Sequence, residues 1–413
     1  MPAQDTDTRP GFAIITNSIT PYGANLHRLI AAGIPELKLH VLVSHQAADF
    51  KWRIEYPREI EVARFGREGE HPLENPLRRP VWDFGKGGRF IDYFRKHHVR
   101  AAIINGYRFI SYLRLMNYCY GAQIPFFVNN DSNIRNEPPL SPVARIVKRR
   151  LYAWWLKRAA GVMPMGALGD KFFVKYGASP DRLYRVPCCP DFTRFDHVDE
   201  VALDGFRRKF GLNRQRRYLL FSGRLVQLKR VDLLIEAFAA IAGARPEWDL
   251  MIVGDGVLAN ELRRRVPEAL QSRVVWTGFL DGLEPVLAYQ AADVLALTSE
   301  NEAWSLVIPE AMAAGLPVIS SDVPGAAYDL IEDGVSGKIF PVNDLEALQR
   351  SLLEVTDADR LPQFKEQARA SIQRWKTTTD PVAEIRRALF DASVVQSLTG
   401  RSVQAKNVAP AAN

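Results

Sequence analysis

Short apolar runs alternate with segments of helical period along this chain, and the alternation runs its course twice. No other feature constrains the fold as much. Strand–helix–strand units of this kind pair their strands in parallel and cover both sheet faces with helices. The first cycle predicts strands at Phe12–Thr16, Leu37–Val43, Ala101–Asn105, Pro125–Val128, Gly161–Pro164 and Leu183–Val186. Helical periods lie between them, near Ala24–Ala32, Gly88–His97, Phe109–Tyr120, Pro142–Arg158 and Ala167–Tyr176. A break containing prolines and several charges, Pro187–Asp204, reads as an interdomain linker. The second cycle predicts strands at Tyr218–Ser222, Leu250–Val253, Val274–Trp276, Val294–Leu297, Val318–Ser320 and Lys338–Phe340. Its helices fall near Arg230–Ala242, Val257–Arg265, Leu283–Ala291, Leu306–Ala314, Ala326–Ile331 and Leu345–Val355.

The expectation is an α/β protein of two Rossmann-like, doubly wound parallel-sheet domains. The first spans 11–190 and takes back a C-terminal helix at 380–397; the second spans 205–375. A chain of 413 residues suffices for two hydrophobic cores. Residues 1–10 and 398–413, small and polar with few core formers, are expected to be disordered. Ligands of such sheets sit beyond the carboxyl ends of the strands, so two domains facing each other would enclose a cleft.

Composition narrows the partners. Hydrophobic residues make up 47% and charged residues 24%, as in soluble globular proteins. The net charge of +7, from 54 basic and 47 acidic residues, suits an anionic partner such as a nucleotide sugar or an acidic membrane surface. Acids are interspersed throughout and no recognition motif is present, so nucleic acid is not an expected partner. Cys119, Cys188 and Cys189 have neither metal nor disulfide spacing, which fits a reducing cytoplasm. The start, MPAQDTDTRP, has no apolar signal core, and no apolar run approaches the ~20 residues that span a bilayer.

Chemistry is written mainly in the second half. Phe221-Ser222-Gly223-Arg224 ends a strand, and Lys229 follows five residues after Arg224. Both cations can project above the sheet edge, Arg as a fork and Lys as a compact charge for a diphosphate. Alone, the same residues also read as a solvated basic turn beside Arg230. Val253-Gly254-Asp255-Gly256 makes a tight turn after the next strand, without the G-x-G-x-x-G dinucleotide fingerprint. Taken alone, that is an ordinary strand-to-helix turn. The third element is Glu302-Ala303-Trp304-Ser305-Leu306-Val307-Ile308-Pro309-Glu310, followed by Ala311-Met312-Ala313-Ala314-Gly315. Glu302 lies in a loop and Glu310 about one turn into a helix that opens near Ser305 or Leu306 and stops at Gly315. The free N–H groups of Ser305, Leu306 and Val307 suit a phosphate. Glu302 would then stand beside a sugar, and Glu310 could accept hydrogen bonds from ribose hydroxyls. Two surface carboxylates at a helix start are the plainer account, but apolar Ile308, Ala311 and Met312 around Glu310 speak against it.

In spacing and order these elements resemble the retaining GT-B glycosyltransferases of the large E-x7-E family. The matching residues are Gly223-Arg224, Lys229, Gly254-x-Gly256, Glu302-x7-Glu310, Ala314-Gly315-Leu316-Pro317-Val318 and Asp333-Gly334-x-x-Gly337. The likeness runs closely from about Tyr218 to Ala347. It implies the GT-B fold and transfer of a sugar, with retained anomeric configuration, from a UDP- or GDP-sugar to a glycan or lipid-linked acceptor. Cell-surface or exopolysaccharide synthesis, lipopolysaccharide included, is the pathway class it suggests.

The first half agrees only partly with that family. Its glycine-rich donor loop corresponds to Thr16-Asn17-Ser18-Ile19-Thr20-Pro21-Tyr22-Gly23, in which Gly23 is the one candidate for close backbone approach. A Pro21-Tyr22-Gly23 turn explains the same residues structurally. Many relatives carry a histidine after a middle strand, where this chain has Asp131 within Val128-Asn129-Asn130-Asp131-Ser132-Asn133. Asp131 either holds a sugar or acceptor hydroxyl or caps the next turn. None of the seven histidines has metal spacing. The one D-x-D, Asp357-Ala358-Asp359, reads as a solvated loop. No metal ion and no cofactor are therefore expected. Arg224, Lys229 and the helix start after Ser305 would neutralise the leaving diphosphate. Ile372-x-x-Trp375 resembles the segment where the chain crosses back, with Trp375 as a packing anchor.

One further segment, Ile146–Arg158, is basic, aromatic and helical in period. It reads either as a helix on an anionic bilayer or as a helix packed on the sheet with its cations outward. The first reading makes the protein peripheral at the inner face of the plasma membrane. Outside transferases, the alternatives are an epimerase or phosphorylase on the same fold, or a non-catalytic module that binds nucleotide or membrane.

Overall fold

Six parallel strands order the N-terminal part of the computed structural model, which describes residues 7–45, 56–57, 59–67, 79–137 and 139–398. They are β1 (Gly11–Thr16), β2 (Lys38–Val43), β3 (Glu61–Arg64), β4 (Val99–Asn105), β5 (Phe126–Asn130) and β6 (Gly161–Pro164), in the order β3-β2-β1-β4-β5-β6. Period-two alternation feeds two cores. Phe12, Ile14, Val41 and Ile103 face one side; Ala13, Ile15, Leu42 and Ile104 face the other. Helices α1 (Pro21–Gly33), α2 (Pro80–Lys96), α3 (Ile110–Gly121), α4 (Pro142–Leu156) and α5 (Ala167–Lys175) connect them.

The second part repeats the plan with β7 (Arg217–Ser222), β8 (Trp248–Val253), β9 (Val274–Gly278), β10 (Val294–Leu297), β11 (Val318–Ser321) and β12 (Gly337–Phe340). Their order is β12-β11-β10-β7-β8-β9, again all parallel. Its helices are α6 (Glu200–Phe210), α7 (Val231–Ile241), α8 (Ala259–Arg265), α9 (Glu284–Ala291), α10 (Val307–Ala313), α11 (Gly325–Leu330), α12 (Leu345–Val355) and α13 (Leu361–Thr378). The last helix, α14 (Pro381–Asp391), buries Ile385, Ala388 and Leu389 in the core that holds Phe12 and Ile14. Arg386 fixes it there: the buried guanidinium donates to Glu36 Oε1 (2.6 Å) and to the Gly33 carbonyl at the end of α1 (2.8 Å).

The chain forms two units. One takes Met1–Ser132, Pro138–Cys188 and Asp380–Asn413; the other takes Asn133–Glu137 and Cys189–Thr379. Five residues in the middle of the first cycle thus fold with the second sheet.

Three elements differ from the sequence-based expectation. Leu183–Val186 is not a strand. It lies along β6 through Tyr184 N to Val162 O (3.0 Å) and Val186 N to Pro164 O (2.9 Å), and pairs in one isolated bridge. The sixth strand of the first sheet is instead β3, an edge strand whose ends are Glu61 and Arg64. Helix α6 begins inside the stretch read as a linker, capped by Asp199, whose carboxylate accepts from Val201 N and Ala202 N (both 3.0 Å). It ends at Gly211 in the left-handed region, φ 67°. Of the ends expected to be disordered, 1–6 and 399–413 lie outside the described residues.

Candidate functional site

In the second unit the strand order reverses between β10 and β7, and in open α/β sheets it is at such a reversal, beyond the carboxyl ends of the strands, that ligands sit. The Lys229 ammonium, in a short 3-10 turn after β7, forms an ion pair there with Glu302, from the loop after β10. Both side chains are about four-fifths buried, at 18% and 19% exposure. The loops beneath them are laced together. The Thr298 hydroxyl reaches the carbonyls of Lys229 (2.9 Å) and Arg230 (2.8 Å), and Glu300 N donates to Leu228 O (2.9 Å). Arg230, at φ 48°, turns its guanidinium away to Asp232 and Asn343, which leaves Lys229 as the cation on Glu302.

The next loops over, after β7 and β8, pack backbone to backbone. Gly223 N donates to Val253 O (3.0 Å) and Leu225 N to Asp255 O (2.9 Å). A Cβ on Gly254 would stand 1.9 Å from Gly223 O, and Gly254 itself has φ 128°; a Cβ on Gly256 would stand 2.4 Å from Leu225 O. The glycines after β8 therefore let two loops touch, a structural use that the spacing alone did not reveal. Arg224 rides on this contact with its side chain exposed.

Glu302 and Glu310 bracket the start of α10. Ser305 is buried in the left-handed region (φ 80°), and among the described residues no side chain caps the helix. Glu310, half-buried, accepts a hydrogen bond from the Tyr289 hydroxyl (2.7 Å), a partner no sequence motif announced. Trp304 is buried against Trp375, which also meets Phe192, so the indole at 375 backs the Glu302 loop. The loop after β11 closes the other side: Gly325 N donates to Ala303 O (3.2 Å) and Ala326 N to Trp304 O (2.9 Å). Asn133 Nδ2 also donates to the Glu302 and Ala303 carbonyls of the loop after β10, and nothing in the sequence pattern singled it out.

Of the four charged groups named from the sequence, Arg224, Lys229 and Glu302 stand in the connections that follow β7 and β10, and Glu310 stands in the first turn of α10. Lys229 and Glu302 touch; Arg224 is exposed after β7 and Glu310 bonds Tyr289 within α10. Gly23 and Asp131 belong to the first unit. Gly23 sits in the first turn of α1, and not in a free turn. Its N–H is taken by the Thr20 side chain (3.1 Å), which caps the helix. Asp131 is exposed in the loop leaving β5, and the turn there is capped by Asn130, whose Oδ1 accepts from Ser132 N (2.9 Å). Asp357 and Asp359 form the turn that opens α13, Asp357 Oδ1 accepting from Asp359 N (3.1 Å).

Sequence spacing gave no histidine cluster, but the fold brings His40 and His97 beside Glu61 in the first unit, each with Nδ1 3.6 Å from a Glu61 oxygen. Lys38 already puts its ammonium 3.2 Å from that carboxylate, and the Tyr93 hydroxyl donates to it (3.0 Å). Those two groups, together with the imidazoles, lower the Glu61 pKa against the burial that raises it.

Among Arg224, Lys229 and Glu302 the structure shows one direct contact, Lys229 with Glu302, on a loop that leads into α10, while Arg224 stands exposed after β7. Comparison with known proteins bears on the family and the fold. Residues 204–371 match the model of the family glycosyl transferases group 1. The D-inositol 3-phosphate glycosyltransferase of Thermomonospora curvata is 32% identical over 230 residues, 51% of this chain and 52% of that protein. The chain spans about half the length of the curated relatives it matches. Among solved structures, sucrose-phosphate synthase from Thermosynechococcus elongatus superposes with a TM-score of 0.72 at 19% identity, covering 93% of this chain and 100% of that one. Anabaena HepE in complex with UDP and glucose does so at 0.67 and 18%, covering 94% and 100%. Likeness at this level identifies a shared fold, the GT-B class of two parallel α/β domains.

Proposed function

We propose that this chain, whose residues 204–371 match the model of the glycosyl transferases group 1 family, transfers a sugar from a nucleotide-diphosphate donor to an acceptor with retention of anomeric configuration. The observation that carries the reading is the contact of Lys229 with Glu302 at the strand-order reversal, beside the uncapped start of α10. Negative charge grows on the β-phosphate as the sugar departs. Arg224, Lys229 and the N–H groups of Ser305, Leu306 and Val307 neutralise it in place of a metal ion. Glu302 lies by the sugar and orients the lysine. Glu310, itself oriented by Tyr289, accepts from the ribose hydroxyls. Gly223 and Gly254 hold the phosphate-side loops, and Asp131 takes a sugar or acceptor hydroxyl. The acceptor oxygen attacks the face the diphosphate leaves, and the leaving phosphate oxygen takes its proton.

UDP- and GDP-sugars are the donor classes. HepE supports the first, since its structure holds UDP and glucose. For the acceptor, a glycan or a lipid-linked sugar at the inner face of the cytoplasmic membrane fits best. Helix α4 supports that placement: Val143, Ile146, Val147 and Leu151 are exposed on one face and Arg145, Arg149 and Arg150 are exposed around them. Among the described residues no helix is long and apolar enough to cross a membrane.

The test is a donor panel of UDP- and GDP-sugars with glycan and lipid-linked acceptors, run with and without exhaustive chelation, and NMR of the product's anomeric proton. The expected result is a retained linkage at a rate chelation does not change. An inverted product or loss of turnover on chelation contradicts the mechanism. Epimerised free donor formed without acceptor contradicts the transferase reading itself.

A further inference from the structure

We infer that Asn133 is a positioning residue for Glu302, built into the donor-side unit from a distant part of the chain. It lies in the stretch Asn133–Glu137, which folds with the second sheet although its sequence neighbours on both sides fold with the first. The side chain is buried, at 2% exposure, and every polar atom of it has a partner. Its NH2 group faces three carbonyls, Ala303 (2.6 Å), Glu302 (3.1 Å) and Val323 (3.3 Å). Its Oδ1 accepts from Arg135 N (2.8 Å) and Asn136 N (2.9 Å), which identifies the atom facing the carbonyls as nitrogen. Its own N–H donates to Asn136 Oδ1 (3.2 Å).

The consequence is mechanical. Glu302 and Ala303 leave the end of β10, and Val323 leaves the end of the neighbouring β11. One amide ties the two loops together at the residue whose carboxylate meets Lys229. A second strut from the same stretch runs from Arg135 Nη1 to Asp322 Oδ2 (2.7 Å), and Asp322 Oδ1 accepts from Val342 N (3.0 Å). Gly325 lets this ladder close, since a Cβ there would stand 2.9 Å from Ala303 O. Neither Asp nor Ala does the same job at 133. A carboxylate would turn oxygen against three carbonyl oxygens, and alanine would leave them with one donor, Gly325 N, between them. With the loop released, the backbone at 302 no longer determines where the carboxylate points.

This inference rests on the assignment of Glu302 to the sugar of the donor, and the experiment separates the two. Affinities of UDP and UDP-glucose, and of GDP and GDP-mannose, are measured by calorimetry for the wild type, Asn133→Ala, Glu302→Gln and the double variant. The quantity read is the ratio of sugar-nucleotide to bare-nucleotide affinity, which a general loss of stability does not move. Asn133→Ala should lower that ratio roughly tenfold, as loss of fixed geometry does, and add little once Glu302 is already Gln. If Glu302→Gln shifts the ratio and Asn133→Ala does not, or weakens both ligands equally, the positioning role is wrong and the site assignment stands. If Glu302→Gln itself leaves the ratio unchanged, the site assignment fails and takes this inference with it.

Discussion

At the scale of single residues, the site depends on glycines as much as on charges. Gly254 has φ 128°, and a Cβ there would overlap the Gly223 carbonyl at 1.9 Å, which is backbone and cannot swing aside. Gly254→Ala should therefore cost about 2–4 kcal/mol from forced separation of the loops after β7 and β8 and from backbone strain. Gly85→Ala, in the exposed middle of α2 with nothing within 4 Å, should go the other way by about 0.5–1 kcal/mol. Thermal and urea unfolding of both variants checks the opposite signs; equal effects would mean that the loop contact contributes nothing. The charged residues were legible because Arg224, Lys229 and Glu302 each follow an apolar run, and Glu310 sits among apolar neighbours. Asn133 and Tyr289 were not legible. Their value lies in partners 169 residues and 21 residues away, and an Asn after a strand or a Tyr in a helix carries no mark of that.

At the scale of elements, short buried strands were readable and elements defined by their ends were not. Strands β7, β8 and β10 are covered on both faces, so they appear as unbroken apolar runs. Edge strand β3 has charged ends and only partial burial, and gave no run to read. Helix α6 was hidden by the prolines before it, although its Asp199 cap and Gly211 stop are both in the sequence. Leu183–Val186 alternates like a strand because Tyr184 and Val186 are buried against β6, yet only two backbone bonds tie it there. Helix α4 is amphipathic on two sides. Tyr152 and Trp155 pack inward among Tyr107, Phe172 and Tyr176, while Val143 and Val147 are 71% and 60% exposed. Vesicles rich in anionic lipid should co-sediment the protein, and neutral vesicles should do so less. Ile146→Glu with Val147→Glu should reduce the bound fraction severalfold without lowering the melting temperature. Unchanged binding by that variant would assign membrane attachment elsewhere.

At the scale of the molecule, the two-sheet plan and the return of the last helix to the first unit were readable, while the transfer of residues 133–137 to the second unit was not. Residues 133–137 fold with the unit remote from them in sequence, and nothing in local propensity records that exchange; α14 does the same, as its resemblance-based placement anticipated. What the second unit presents at the reversal of its strand order is the Lys229–Glu302 ion pair, with Arg224 exposed after the same strand. These groups are the basis for assigning a nucleotide-diphosphate donor. Titration calorimetry of the intact protein with UDP and with GDP tests it most directly. At least one nucleotide should bind, and Lys229→Ala and Arg224→Ala should each weaken it roughly tenfold or more, as loss of a charge-assisted phosphate contact does. Absence of binding by either nucleotide, or equal affinity in wild type and both variants, would contradict the assignment.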